Sequence, residues 1–209
     1  MSFFKKLFNK NQNQTRQLSQ VSELIAKDII VFSDSFALPH NLREQQFQVA
    51  NINTHEFEKK SLTEWQLNGA TNEPIYLTLE QGQQTYLKLS MKLSDEDVEQ
   101  LFSLDDFAEI FTEPGNALLN RIADTKASEG WSCEQYQQYI YAQVGYFHRQ
   151  DHRLNSTIED EGEAFELYSL RGFDDQYSID IQVWEDGETD VFLNLYRPTS
   201  DIKDFYPGS

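Results

Sequence analysis

Ile75-Tyr-Leu-Thr-Leu-Glu80, Gln81-Gly-Gln-Gln84 and Thr85-Tyr-Leu-Lys-Leu-Ser-Met91 form the stretch on which the fold turns. Leucines alternate with polar or aromatic residues on both sides of a short polar link, the period of a strand with one buried face. The spacing predicts a hairpin with Leu77, Leu79, Leu87 and Leu89 on its core face. Gly82 would supply the positive φ of its turn.

Upstream, Phe47, Val49 and Asn51 alternate with Gln48, Ala50 and Ile52, and Leu62 to Leu67 gives a second run, so a β-meander is expected over residues 45–91. Downstream the signal changes. Ser94 before Asp95-Glu96-Asp97 and Ser103 before Asp105-Asp106 are N-caps whose acids meet a positive helix end. Pro114-Gly115-Asn116 breaks the run and Ala117 to Thr125 continues it. Ser132 with Gln135 resembles a capping box for a helix over Cys133 to Val144. Residues 94–144 therefore read as helical. Strands return at Phe165 to Leu170, Tyr177 to Trp184 and Asp190 to Tyr196, a second meander over residues 163–197 with Asp186-Gly187 as a turn.

The fold class expected is α+β: two antiparallel β-meanders with a helical segment between them. Trp65-x-Leu67-x-Gly69 parallels Tyr168-x-Leu170-x-Gly172, and Glu80-x-Gly82 parallels Glu185-x-Gly187. Internal duplication of a meander is one reading of this likeness. The generic look of any two glycine-turned hairpins is the other.

The 209 residues fit a single domain over residues 21–209 preceded by a leader over residues 1–20. That leader, Met1-Ser-Phe-Phe-Lys-Lys-Leu-Phe8 followed by an Asn/Gln-rich spacer, holds Lys5, Lys6, Lys10 and Arg16 and no acid up to residue 22. The chain's net −18 together with this +4 leaves −22 on the rest. Phe3, Phe4, Leu7 and Phe8 share one helical stripe, opposite Lys5, Lys6 and Lys10. This suits docking on an anionic membrane face or in a partner's groove.

An acidic body repels nucleic-acid phosphate, so no nucleic-acid partner is expected and a protein partner is. No window approaches the roughly 20 apolar residues of a spanning helix, and no secretory signal is present. A cytoplasmic protein, peripheral at the inner membrane face, is the expected location.

One cysteine, Cys133, excludes an intramolecular disulfide and multi-cysteine metal sites. At a helix N-terminus its thiol would be acidified, yet no protease signature surrounds it. His148-x-x-x-His152 has the spacing of a metal pair, but Arg149 and Arg153 flank it and no third ligand is specified; exposed loop histidines are expected. His40 and His55 stand alone. Neither a metal, a cofactor nor a catalytic residue is assigned. Trp131, Tyr136, Tyr139 and Tyr141 lie in a dense aromatic segment, either core or a binding surface.

Trp65-Gln-Leu67 with Pro74-Ile-Tyr-Leu-Thr-Leu-Glu80, then Glu161-Gly-Glu-Ala-Phe-Glu-Leu-Tyr168 and Ile179-x-Ile-x-Val-Trp184-x-Asp-Gly-Glu188, resembles an uncharacterised bacterial domain family of unknown function. The resemblance spans residues 45–200. It implies a cytoplasmic protein encoded beside membrane-stress and polyamine-synthase-like proteins, with no functional residues to carry over. Where the family would place a Tyr before the Leu, this chain has Thr63-Glu-Trp-Gln-Leu67.

Three functions follow from these features. A non-enzymatic binding or adaptor protein docked through its leader comes first. An acidic inhibitor that plugs a basic site comes second, and an enzyme using carboxylates or histidines third.

Overall fold

A computed structural model describes residues 16–71, 73–126, 128–154 and 162–208. Half of the described residues are in strands and about a tenth in helices, arranged as a closed eight-stranded β-barrel with extra strands, so the expectation of an α+β fold of two β-meanders is corrected to a mostly-β barrel. After β1 (Ile29–Phe32) comes a first meander, β2 (Gln46–Phe57), β3 (Lys60–Asn68), β4 (Ile75–Gln81) and β5 (Thr85–Lys92). Two short helices, α1 (Asp95–Leu101) and α2 (Leu104–Ala108), and the three-residue β6 (Leu118–Asn120) lead to the second meander. This comprises β7 (Gln135–His148), β8 (Glu163–Gly172), β9 (Tyr177–Trp184) and β10 (Thr189–Pro198), followed by β11 (Ile202–Tyr206).

The meanders are not separate units. Around the ring the order is β2-β3-β4-β5-β10-β9-β8-β7, and β7 returns to β2. Last strand pairs with last and first with first, both antiparallel. The β5–β10 seam runs over seven residue pairs, from Phe192↔Lys92 to Pro198↔Tyr86. The β2–β7 seam has only four, Thr54↔His148 to Phe57↔Gly145. Beyond it the strands part: β2 turns to β1, which carries β11, and β7 turns to β6. Gly145 lets the short seam close, because a Cβ there would lie 2.6 Å from the Phe165 ring and 2.9 Å from that of Phe57.

The caps on Ser94 and Ser103 form as expected, with Ser94 and Asp97 in a reciprocal capping box. The rest of 94–144 is corrected. Ala117 to Thr125 is not helix but β6 and an irregular connection, and Gln135 to His148 is the longest strand of the barrel. Its Tyr, Ile, Val and Phe content favours the pleated surface, and two register shifts, at Gln138/Ile140 and Ile140/Gln143, blur the period of two into an apparent helical one. Gly187 takes a positive φ in its turn. Gly82 does not; its N–H donates to the Gln84 carbonyl across 3.1 Å.

Most strands of the ring have an apolar and a polar face, but β8 is apolar on both, its Phe165 and Leu167 forming a second buried cluster with Phe57. Leu77, Leu87, Leu89, Leu193 and Ile179 on the apolar face are fully buried in one cluster with Trp65, Phe102, Trp131 and the helices. This places the main core between the sheet and the segments that wrap it. A bulge between Val49 and Asn51 switches the phase of β2, so Phe47 and Val49 join that core while Asn53, His55 and Phe57 turn to the other face.

Candidate functional site: the polar bore of the barrel

The second face lines the inside of the ring. Glu64 on β3 and Asp180 on β9, four strands apart in either direction, border one enclosed chamber of about 60 Å³. Alternation along the strands puts their neighbours Thr78, Ser90 and Asn194 beside them. The chamber shares His55, Glu64, Gln182 and Phe192 with an outer cleft of about 780 Å³. Tyr76, Phe147 and Trp184 give that cleft aromatic walls, and all eight barrel strands contribute to its lining.

Two side-chain pairs, Glu64 with His55 and Asp180 with Lys88, hold the bore. Glu64 accepts from the Asn53 amide at 3.0 Å and lies 3.0 Å from His55 Nε2. Burial alone would raise the Glu64 carboxyl, but His55 and the Asn53 bond outweigh it and hold the group below the usual carboxylate range. Lys88 donates to Asp180, which also accepts from the Ser169 hydroxyl at 2.7 Å. Burial likewise opposes both charges of this pair. The mutual attraction wins, keeping Asp180 below and Lys88 above their ordinary ranges.

Asn194 is 0% exposed and donates its Nδ2 to Ser178 Oγ at 2.9 Å, with Asp180 also within its reach. Those acceptors determine which end of the amide is which. Its Oδ1 is buried and has no partner among the described residues.

At the cleft mouth Lys92 pairs with Asp190 at 2.6 Å and Arg149 with Glu163 through two bonds, 2.9 and 3.0 Å. Glu185, Asp186 and Glu188 also line the mouth and have no ion-pair partner among the described residues.

Of the aromatic candidates, Trp131 is fully buried and donates Nε1–H to Asn41 Oδ1 at 3.0 Å. Tyr136 is also fully buried, its hydroxyl accepting the Cys133 N–H at 2.8 Å. Tyr141 packs edge-on against Tyr168 and donates to the Phe111 carbonyl. Tyr139 is half-buried, under the Arg171 guanidinium at 4.9 Å, and that burial together with the nearby Asp180 charge pushes its pKa up to about 12. These four do not converge on one site. Phe3, Phe4, Lys5, Lys6, Leu7, Phe8 and Lys10 lie outside the described residues.

Cys133 does not sit at a helix N-terminus, since β7 follows it, and burial raises its thiol pKa instead of lowering it. His148 is not an exposed loop residue. It is 6% exposed, 3.0 Å from Glu56, and its ring meets that of His152 edge-on at 5.1 Å. The His152 N–H in turn bonds to Thr54 Oγ1, so the pair fastens the turn after β7 to the seam. No group of three metal-ligating side chains forms among the described residues.

His55 is the residue that its isolation in sequence concealed. The available signal was the polar alternation Asn51, Asn53, His55 on β2 facing Glu64 and Gln66 on β3, where a core strand would be apolar on both faces.

No helix among the described residues is long and apolar enough to cross a membrane. Comparison with protein-family models, with curated proteins and with solved structures finds no match, so the likeness noted in the sequence has no relative against which to be weighed.

Proposed function

We propose that the chain is a non-enzymatic binding protein whose barrel takes a small molecule through the aromatic cleft. The supporting observation is the continuity of the cleft with a chamber bordered by Glu64, Asp180 and Asn194. Ligand sites combine such apolar walls with a few fixed polar groups. The ionisable groups deep in the bore are closed into pairs, an arrangement that positions a ligand and leaves no free nucleophile.

Trp184 reports on this reading, because Trp65 and Trp131, the other two tryptophans, are buried in the main core. Phenylalkyl amines, acids and alcohols of equal length are the probes. Saturable quenching of tryptophan emission by at least one of them is expected, and Trp184→Phe should abolish the signal. Absence of saturable quenching by all three overturns the reading.

The basic leader adds a second element: Phe3, Phe4, Leu7 and Phe8 insert at an anionic membrane face while Lys5, Lys6 and Lys10 supply attraction of about 1 kcal/mol each. The segregation of charge in the sequence supports it. Flotation of the full chain with anionic liposomes should be salt-sensitive and lost on deleting residues 2–16. Equal flotation of both forms, or of neither, contradicts the tether and favours a protein partner.

A further inference from the structure

We infer that the ligand of the bore is an organic cation, a primary ammonium group carried on an apolar or aromatic body. The inference rests on the barrel being a small-molecule binder, and three independent features of the bore lead to it.

Asn194 Oδ1 is the first. An amide oxygen buried without a partner costs free energy that a hydrogen-bond donor would recover. Its Nδ2 donates to Ser178 Oγ and stands beside the Asp180 carboxylate, which favours this orientation of the amide. Asn194 borders the chamber, and what its Oδ1 lacks is a donor.

The second is the state of the neighbouring charges. Lys88 is occupied by Asp180, so no open cation waits for an anionic ligand deep in the bore. Each Glu64 oxygen is used once, by Asn53 and by His55, and each keeps a further lone pair. An ammonium, with three donors and no acceptor, matches Asn194 Oδ1 and Glu64; a carboxylate or phosphate matches neither. About 60 Å³ accommodates a head group of a few heavy atoms, leaving the body of the ligand to the outer cleft.

The third is the mouth. Tyr76, Phe147, Trp184 and Phe192 line the cleft, where the Arg149 guanidinium already lies 5.4 Å from the Phe147 ring centroid, and aromatic walls favour a cation over an anion. Glu185, Asp186 and Glu188, unmatched by Lys92 and Arg149, place a negative potential over the entrance and raise the local concentration of cations.

3-Phenylpropylamine, 3-phenylpropanoate and 3-phenylpropanol, titrated into the full-length protein and followed calorimetrically and by Trp184 emission, test the inference. The amine should bind at least tenfold more tightly than the alcohol, and the acid most weakly. Glu64→Gln, which keeps the shape of the side chain and removes its charge, should narrow the preference for amine over alcohol to less than threefold. Asn194→Leu should do the same, with the urea midpoint of each variant confirming that it folds. Tighter or equal binding of acid or alcohol overturns the cation inference and leaves the binding barrel standing. No binding by any of the three overturns both. A preference undiminished in a folded Glu64→Gln protein removes Glu64 from the site and the inference with it.

Discussion

Lys88→Met is expected to lower the free energy of unfolding by about 3–5 kcal/mol, the cost of leaving a buried carboxylate without its counter-charge. Asp180 is 8% exposed, and the ammonium of Lys88 is the only cation paired with it among the described residues. Ser169 and Asn194 would remain as donors, but neither carries charge. Urea unfolding at neutral pH measures the loss. Replacing both partners, Lys88→Met with Asp180→Leu, should recover at least half of it, because an apolar pair removes the desolvated charge together with its partner. The remaining deficit reflects the Ser169 hydroxyl left without an acceptor.

The pH dependence of this variant has a definite sign. In the native protein the folded-state pKa of Asp180 is depressed, so its stabilisation is present above the ordinary carboxylate range and is lost as pH falls through the depressed one. In Lys88→Met the same carboxyl, buried and unpaired, is raised, and protonation relieves it. The gap between the two proteins should therefore shrink as pH falls from neutrality toward 4. A gap that is constant with pH would mean that Lys88 acts through packing of its stem and not through its charge.

Trp65→Ala should be equally damaging, about 3–5 kcal/mol. The indole is 2% exposed, and its Nε1–H donates to the Leu24 carbonyl at 3.2 Å. Arg153 covers the ring at 5.4 Å and donates to the carbonyls of Ser22 and Leu24, at 2.7 and 2.9 Å. Removing the ring opens a cavity in the main core and takes away the surface on which Arg153 and the entry segment lie. Trp65→Phe restores much of the volume without the N–H, so about 1–2 kcal/mol is expected. Denaturant midpoints order the three proteins, and an Ala variant within 1 kcal/mol of the parent would show that the core collapses around the site.

The hairpin of β4 and β5 was legible because nothing competes with its alternation: a polar link interrupts two clean periods of two. In β7 the alternation is displaced twice by register shifts, and a Ser-x-x-Gln sequence at its start imitates a cap. The helical reading failed for that reason. The site was hidden by a different cause. A barrel whose bore is polar presents Asn53, His55, Glu64, Lys88 and Asp180 at the positions that alternation assigns to solvent, so the sequence of a wet interior and that of a wet exterior are alike. Only closure of the ring, set by the four residue pairs between β2 and β7, distinguishes them.

The joining of last strand to last and first to first bears on how the molecule acquires its structure. Lys88 meets Asp180, and Glu56 meets His148, each across 92 residues of chain. Such contacts carry a large loop-closure entropy that local interactions do not repay in advance, and non-local β pairing is correspondingly slow, on the order of milliseconds to seconds. Either meander alone would hold half of each ion pair in water and half of an apolar face without cover. The two halves are thus expected to gain stability together, in one cooperative step whose rate is set by topology more than by the strength of any single strand.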